Sequence, residues 1–90
     1  MDEHEAIRQM KQGDINGLAV LVNRYQTRAV RVATLITRDQ SLAEDVVQAT
    51  FIRIYKKIDQ FDTTRPFAPW FMRSVVNGAL QTMRKQQLRT

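Results

Sequence analysis

A chain of 90 residues is long enough for one domain built on a single hydrophobic core. Hydrophobic residues form 43% of it and charged residues 26%, which is ordinary for a soluble globular protein, and three glycines and two prolines favour long helices over a many-stranded sheet. The lack of cysteine excludes disulfides and thiolate metal sites and agrees with a reducing, cytoplasmic setting. The acidic N-terminus is unlike a signal peptide, and the longest apolar run, Leu18 to Val22, is too short to span a membrane.

The net charge of +5 is unevenly distributed along the chain. Residues 1–45 contain six Lys/Arg and seven Asp/Glu, a balance of −1, whereas residues 46–90 contain eight Lys/Arg and two Asp/Glu, a balance of +6. A solvated basic face is one interpretation of this bias. Polyanion binding is the other, because clustered cations release condensed counterions from phosphates. A polyanion site is therefore expected in the C-terminal half.

Two helices are predicted in the N-terminal half. The first runs from about Glu3 to Lys11, with acidic residues in the first turn, where the helix dipole favours them, and Gly13 is expected to form a left-handed cap. Asp14 is a suitable N-cap for the second, from about Ile15 to Ile36. Apolar residues at spacings of three and four predict one buried stripe on this helix. Its members are Leu18, Leu21, Val22, Tyr25, Ala29, Val32, Ala33 and Ile36.

Two further helices are predicted in the C-terminal half. Ser41 to Glu44 has the pattern of a capping box, and the third helix extends from there to about Ile58. The fourth is predicted over 67–85, because Pro69 must lie in its first turn, where the missing N–H breaks no hydrogen bond. Residues 86–90 have no apolar period and are expected to begin a linker. The predicted fold is all-α, a compact bundle of about four helices.

Catalytic chemistry is not indicated by the residues. The single histidine, His4, has no second His or Cys to join it as a metal ligand. Turn chemistry accounts for Asp59 and Asp62, and the three scattered glycines form no phosphate-binding loop. We therefore expect no catalytic residue, no metal site and no cofactor, and we expect that the chain is not an enzyme.

Polar side chains suited to nucleic acid follow one face of the fourth helix. They are Arg73, Asn77, Gln81 and Arg84, continued by Lys85 and Arg89. Asn and Gln can pair with base edges, and Arg binds phosphate or guanine. A solvated polar face is the alternative interpretation, but residues 65–90 contain no acid, which a solubilising face would usually include. Nucleic acid is therefore the preferred ligand of this face.

The loop before this helix carries Phe61 among small hydroxyl groups and next to Arg65, with Trp70 following in the helix. Aromatic faces accept bases that have left the duplex, so the loop suits capture of an unstacked base. The alternative is that both rings pack on the core, and an indole can do both at once.

The third helix carries a mixed stripe of polar and apolar residues. It consists of Asp45, Gln48, Ile52 and either Tyr55 or Lys56. This stripe is either a protein-docking surface or the edge of a core-facing helix, and the residues alone favour the edge.

Two long runs resemble sigma factors of the extracytoplasmic-function (ECF) group. The run from Ala43 to Tyr55 is similar to the segment that docks on the clamp helices of RNA polymerase. The run from Phe61 to Arg84 resembles the segment that melts and reads the promoter −10 element. It contains Phe67-Ala68-Pro69-Trp70-Phe71-Met72-Arg73 and then Asn77. The opening residues from Gly13 to Tyr25 are similar to the first helices of the group, so the likeness covers essentially the whole chain.

The resemblance implies a sigma-70 region 2 domain over residues 1–90. It implies a polymerase-docking helix over 42–58, a base-capture loop over 59–66 and a −10-reading helix over 67–85. The positions implied to bind the β′ clamp of the polymerase are Asp45, Gln48, Ile52 and Tyr55. The positions implied to bind DNA are Phe61, Asp62, Thr63, Thr64, Arg65, Arg73, Asn77, Gln81, Arg84 and Lys85. Core RNA polymerase and the non-template strand of the −10 element are thus the implied partners, and an anti-sigma factor is a further candidate.

Two residues and one missing domain depart from the family pattern. Phe71 stands where leucine is most frequent, and Gly78 loosens the reading helix by about 1 kcal/mol relative to Ala. Family members carry a second helical domain that reads the −35 element, region 4, and nothing after Thr90 supplies it. We therefore expect an excised or truncated domain that binds promoter DNA weakly by itself.

The function predicted from the sequence is that of a transcription initiation factor domain, which docks on the polymerase clamp and melts the −10 element by capturing a base. The alternative is a helical interaction module whose basic face binds an acidic protein such as an anti-sigma factor. Membrane binding is disfavoured, because the core needs the apolar stripes.

Overall fold

The computed structural model describes residues 1–89 and contains four α-helices and one short 3-10 helix. In chain order these are α1 (Glu3–Lys11), α2 (Asn16–Thr37), α3 (Gln40–Lys56), the 3-10 helix (Ile58–Gln60) and α4 (Phe67–Arg89). No strand occurs among the described residues, and the predicted all-α bundle of about four helices is confirmed. Over the same residues, none of these helices combines the length and the apolarity needed to cross a bilayer.

The turn between α1 and α2 depends on glycine at two positions. Gly13 has a φ of 87°, the left-handed conformation predicted for it. The Asp14 carboxylate accepts the backbone N–H of Asn16 at 2.9 Å, but Ile15 occupies the N-cap position, so α2 begins one residue later than predicted. At Gly17 a Cβ atom would lie 2.2 Å from the carbonyl oxygen of Ala6, so only glycine allows the two helices to come this close.

The stripe predicted for α2 faces the core. Leu21, Tyr25, Ala29 and Ala33 are buried along it, and partly buried apolar residues line its edges. The edge residues from the prediction are Leu18, Val22 and Ile36, with Val32 half-buried. Small residues in two successive turns let α2 contact both α3 and α4.

The capping box predicted at the start of α3 is wrong. The N-cap is Asp39, whose carboxylate accepts the N–H of Leu42 at 3.1 Å, and Ser41 is an exposed residue of the first turn. The cause lies in the preceding corner, where Arg38 adopts a left-handed φ of 57° and ends α2. Only Arg38 and Asp39 separate the two helices, so α3 starts earlier than the capping pattern indicated.

The boundaries of the last elements also differ from those predicted. Helix α3 ends at Lys56, two residues before the predicted end, and the 3-10 helix takes up the first part of the predicted 59–66 loop. Helix α4 begins at Phe67, with Pro69 in its first turn as predicted. It continues through Arg89, so residues 86–89, which were expected to begin a linker, are helical. Thr90 lies outside the described residues.

Aromatic rings connect the core to the loop before α4. Phe71 is fully buried, with ring centroids 4.7 Å from Phe51 and 5.7 Å from both Tyr25 and Phe67, so its phenyl group is part of the core. The series continues outward, because Phe67 contacts Phe61 at 5.7 Å. Such pairs add about 0.5–1.5 kcal/mol each beyond burial, so the core fixes the geometry of the loop.

Candidate nucleic-acid interface

Side-chain hydrogen bonds of Asp62 hold the loop between the 3-10 helix and α4. The Asp62 carboxylate accepts the N–H of Thr64 at 2.9 Å and its hydroxyl at 2.6 Å, and lies 3.8 Å from Nε of Arg65. Hydrogen bonds from Thr64, with a smaller contribution from the Arg65 charge, lower the pKa of Asp62 below its usual value. The side chains of Thr63, Thr64 and Arg65 are exposed. The Asp62 carboxylate therefore stabilises the turn in its ionised form, by accepting the hydrogen bonds of Thr64.

A hydrogen bond from the other end of the chain fixes the same loop. The Lys11 ammonium group, in α1, donates to the carbonyl oxygen of Phe61 at 2.8 Å. Sequence reasoning missed this contact, because 50 residues separate the two partners and no local pattern connects them.

A surface pocket of about 440 Å³ lies between this loop and the first turns of α4. Its lining residues are Gln60, Phe61, Asp62, Arg65, Pro66, Pro69, Trp70 and Arg73. Trp70 is half-buried and packs against Phe61 in a tilted arrangement, with ring centroids 4.7 Å apart, while Arg65 and Arg73 are exposed. Pockets of roughly 300–1,000 Å³ hold small organic ligands, so the aromatic wall and cationic rim can accept one nucleobase and its phosphate.

The structure corrects the role expected for Phe61. Its side chain is only 4% exposed, since the ring packs on Phe67 and Trp70 and the carbonyl group is held by Lys11. Phe61 therefore offers a base no free ring face and forms part of the pocket wall. Trp70 combines the two roles that the sequence left open, because it packs on the core and also lines the pocket.

One exposed face of α4 carries the polar residues identified in the sequence. They are Arg73, Asn77, Gln81, Arg84 and Lys85, and all five are exposed. At 3.6 residues per turn they span an arc of about 120°. The ion pairs among residues 1–89 join Arg24 to Glu3 and Arg65 to Asp62, so no carboxylate of these residues pairs with Arg73, Arg84 or Lys85.

The face begins at the pocket but is not confined to it. Arg73 lines the pocket, whereas Asn77 lies one turn further along α4 and does not line it. Gln81 and Lys85 border a shallow groove between α4 and α3. The structure thus brings Arg73 to the pocket and leaves Asn77 and Gln81 exposed on α4 outside it.

Gly78 lies on the side of α4 that faces α3, next to Gln81 and Lys85, with which it lines the groove between the two helices. A Cβ atom there would lie 3.4 Å from Cγ1 of Val46 and 3.6 Å from Oγ1 of Thr50. The helix runs through this position without a break. These are ordinary van der Waals distances, so the contact between α3 and α4 leaves room for a methyl group at Gly78.

The mixed stripe of α3 divides into an exposed part and a structural part. Asp45, Gln48 and Ile52 are exposed, with 55% of the Ile52 surface open to solvent. Tyr55 is half-buried, and its hydroxyl group donates to the carbonyl oxygen of Gly13 at 3.0 Å, which fastens the α1–α2 turn. The exposed part of the stripe is therefore available to solvent, and a single exposed apolar side chain such as Ile52 is ordinary for a protein surface.

Within residues 1–89, no group of three or more His, Asp or Glu side chains is arranged to hold a metal ion. The site is one of polar and aromatic contacts.

Comparison with known proteins gives a consistent result. The sequence model of the Sigma-70 region 2 family matches residues 21–89. The ECF RNA polymerase sigma factor SigW of Bacillus subtilis is 33% identical over 81 residues, which cover 90% of this chain and 43% of SigW. The ECF RNA polymerase sigma-E factor of Haemophilus influenzae is 36% identical over 81 residues, which cover 88% and 41%. The chain therefore spans less than half the length of these relatives.

A solved structure shares the whole fold. It is described as the NMR structure of the complex formed by an engineered region 2 of sigmaE in complex with GTAAAA. The TM-score is 0.91 at 29% identity, and the match covers 99% of this chain and 93% of that one. With most of the sequence matched by the family and ECF sigma factors among its relatives, this chain belongs to the Sigma-70 region 2 family.

Proposed function

We propose that this domain recognises and melts a promoter −10 element by capturing one unstacked base of the non-template strand, while α3 docks on core RNA polymerase. The observation that carries the proposal is the pocket beside Trp70, with a cationic rim formed by Arg65 and Arg73, at the start of an acid-free polar face. The solved relative described in complex with GTAAAA shares this fold and supports the same ligand class.

The pocket and the helix face would contribute different parts of the free energy needed for melting. Extruding a base costs a few kcal/mol, and stacking on an aromatic side chain returns about 1–3 kcal/mol. One base on Trp70 can therefore offset most of one extrusion but cannot open several base pairs. Phosphate contacts from Arg73, Arg84 and Lys85 supply further free energy through counterion release. Melting of a whole element would thus need the polymerase to hold the duplex.

Asn77 and Gln81 are assigned to reading the nucleotides next to the captured base. Side-chain amides offer a donor and an acceptor together, which suits the edge of a base. Asn77 does not line the pocket. It would therefore select the base of a neighbouring nucleotide, or contact the exposed edge of the captured base.

Binding of labelled single-stranded hexanucleotides tests this part of the proposal. The probes are GTAAAA and its single-base variants, measured by fluorescence anisotropy. We expect Asn77→Ala to relax base preference at one position by about fivefold to a hundredfold, which corresponds to about 1–3 kcal/mol. Asn23→Ala, at an exposed asparagine of α2, is the matched control and should change nothing. Equal affinity of the wild type for every variant would overturn base reading.

The exposed α3 residues Asp45, Gln48 and Ile52 are proposed to dock on the clamp helices of the polymerase β′ subunit. Tyr55 supports this surface by holding the α1–α2 turn against α3. Co-purification with core RNA polymerase should be lost in the double variant Asp45→Ala/Gln48→Ala. The control Gln40→Ala/Glu44→Ala removes one amide and one acid from the same helix and should co-purify normally. Equal recovery of both double variants would contradict docking through α3.

A second candidate function follows from the same acid-free face. An acidic protein, such as an anti-sigma factor, would be attracted to Arg73, Arg84 and Lys85 by charge alone. This possibility is distinguished from DNA reading by base preference, because charge pairing cannot tell one hexanucleotide from another.

A further inference from the structure

The first helix presents a basic strip to the loop, on the other side from the base pocket. His4, Arg8 and Lys11 recur at steps of four and three and so share one face of α1. With Thr63 of the loop they line a groove of about 350 Å³ that has no carboxylate in its wall. The family model matches from residue 21 onwards and therefore does not include α1.

A smaller depression joins this groove to the base pocket. It shares His4 and Thr63 with the α1 groove, and it shares Phe61, Arg65 and Pro66 with the pocket. The three depressions are therefore neighbours, and together they define a track across the loop from α4 to α1.

The track contains little uncompensated negative charge. Glu3 lines the middle depression, but its carboxylate accepts the Tyr25 hydroxyl hydrogen and lies 3.7 Å from Arg24. Asp62 lines the base pocket, and its carboxylate is engaged by Thr64 and Arg65. An anionic strand would thus meet cations and hydroxyl groups along the track.

We propose that the groove between α1 and Thr63 binds the sugar–phosphate backbone of single-stranded DNA that leaves the base pocket across the loop. This inference rests on the proposed function, because the pocket determines where the strand begins. A captured base has neighbours on both sides, and the α4 face can take only one of them. Arg8 and Thr63 are exposed donors for phosphate oxygens, and Lys11 uses one of its three ammonium hydrogens on Phe61.

The experiment compares short and extended oligonucleotides. The probes are labelled GTAAAA alone and GTAAAA carrying four thymidines at its 5′ or its 3′ end. Binding is measured by anisotropy across a range of salt concentrations for the wild type, for Arg8→Gln and for Arg31→Gln. Arg31 is an exposed arginine of α2 that lines neither the pocket nor the groove, so it controls for loss of one charge.

The groove makes one asymmetric prediction. Four added thymidines should tighten wild-type binding more at one end of GTAAAA than at the other, and the probe extended at the favoured end is the one that reaches the groove. Arg8→Gln should weaken binding of that extended probe roughly threefold more than Arg31→Gln does, and lower its log–log salt slope by about 0.7, the value for one phosphate contact on a single strand. Binding of the unextended hexanucleotide should be equal in the two variants.

The outcomes separate this inference from the proposed function. An extension effect that is absent, or that survives in Arg8→Gln, overturns the groove and leaves base capture standing. An extension effect lost in Arg8→Gln without any base preference among hexanucleotides supports the groove and overturns base reading. No binding of any probe overturns both.

Discussion

Two glycines of this domain face other helices, but they tolerate a methyl group to very different degrees. At Gly17 the added Cβ would lie 2.2 Å from a backbone oxygen, whereas at Gly78 its nearest contacts are ordinary, at 3.4 and 3.6 Å. We expect Gly78→Ala to raise the free energy of unfolding by up to about 1 kcal/mol, because glycine is the weaker helix former. We expect Gly17→Ala to lower it by about 1–3 kcal/mol, because the two helices must move apart.

Urea denaturation followed by circular dichroism measures both glycine variants. Each serves as the control for the other, since the chemical change is identical. A loss of stability in Gly78→Ala comparable to that in Gly17→Ala would show that α4 and α3 lie closer than the structure has them.

Asp62 is an acid in a loop proposed to bind DNA, so charge alone predicts tighter binding when it is removed. The hydrogen bonds from Thr64 predict the opposite for Asp62→Ala, because the turn loses its acceptor. Asp62→Asn keeps a side-chain oxygen and removes the charge, so its affinity for GTAAAA should equal or exceed that of the wild type. Asp62→Ala should bind severalfold more weakly, and a reversed order of the two variants would contradict the structural role.

The lowered pKa of Asp62 also gives the direction of a pH effect. A carboxyl group whose pKa is lowered by folding stabilises the native state above its usual pKa of 3.8, and this stabilisation is lost as the pH falls through the lowered value. The loop should therefore keep its shape throughout the neutral range and loosen as the pH falls below 3.8. Amide exchange of Thr64 as a function of pH, corrected for its intrinsic rate, reports this loosening.

At the scale of whole elements, the start of α3 has two chemically suitable caps, Asp39 and Ser41. The structure uses Asp39, so we expect Asp39→Ala to cost about 1 kcal/mol of stability. Ser41→Ala should be neutral or slightly stabilising, because Ser41 is an exposed first-turn residue and Ala is the better helix former. Thermal denaturation measures both variants, and a larger loss in Ser41→Ala would restore the capping box.

Periodicity predicted the four helices and the buried face of α2, since a buried stripe imposes its spacing on the sequence. It did not predict helix ends, because the choice between Asp39 and Ser41 depends on the backbone of Arg38. It also ended α4 too early, since residues 86–89 bury little, although Gln and Arg are good helix formers.

The candidate site could be predicted in part for similar reasons. Polar side chains at helical spacing gave the α4 face, because spacing on one helix is a local property. The burial of Phe61 and its bond from Lys11 depend on packing between distant segments, and no local pattern contains that information.

At the scale of the whole molecule, charge separates into a nearly neutral N-terminal half and a basic C-terminal half. Affinity for single-stranded DNA should therefore fall steeply with salt. Arg84→Gln should lower the log–log slope by about 0.7 for every sequence alike, since it removes a phosphate contact without removing a base contact. Arg38→Gln, at the α2–α3 corner, is the control. Equal slopes for the two variants would contradict a DNA path along α4.

Trp70 is the only tryptophan of the chain, and it lines the base pocket against Phe61. All indole emission of the protein consequently originates at the proposed docking point of the extruded base. A purine or pyrimidine lying against that ring would quench the emission, whereas contacts made elsewhere on the surface would leave it largely unchanged. The intrinsic fluorescence of Trp70 can therefore report in real time when the domain captures a base of unlabelled promoter DNA.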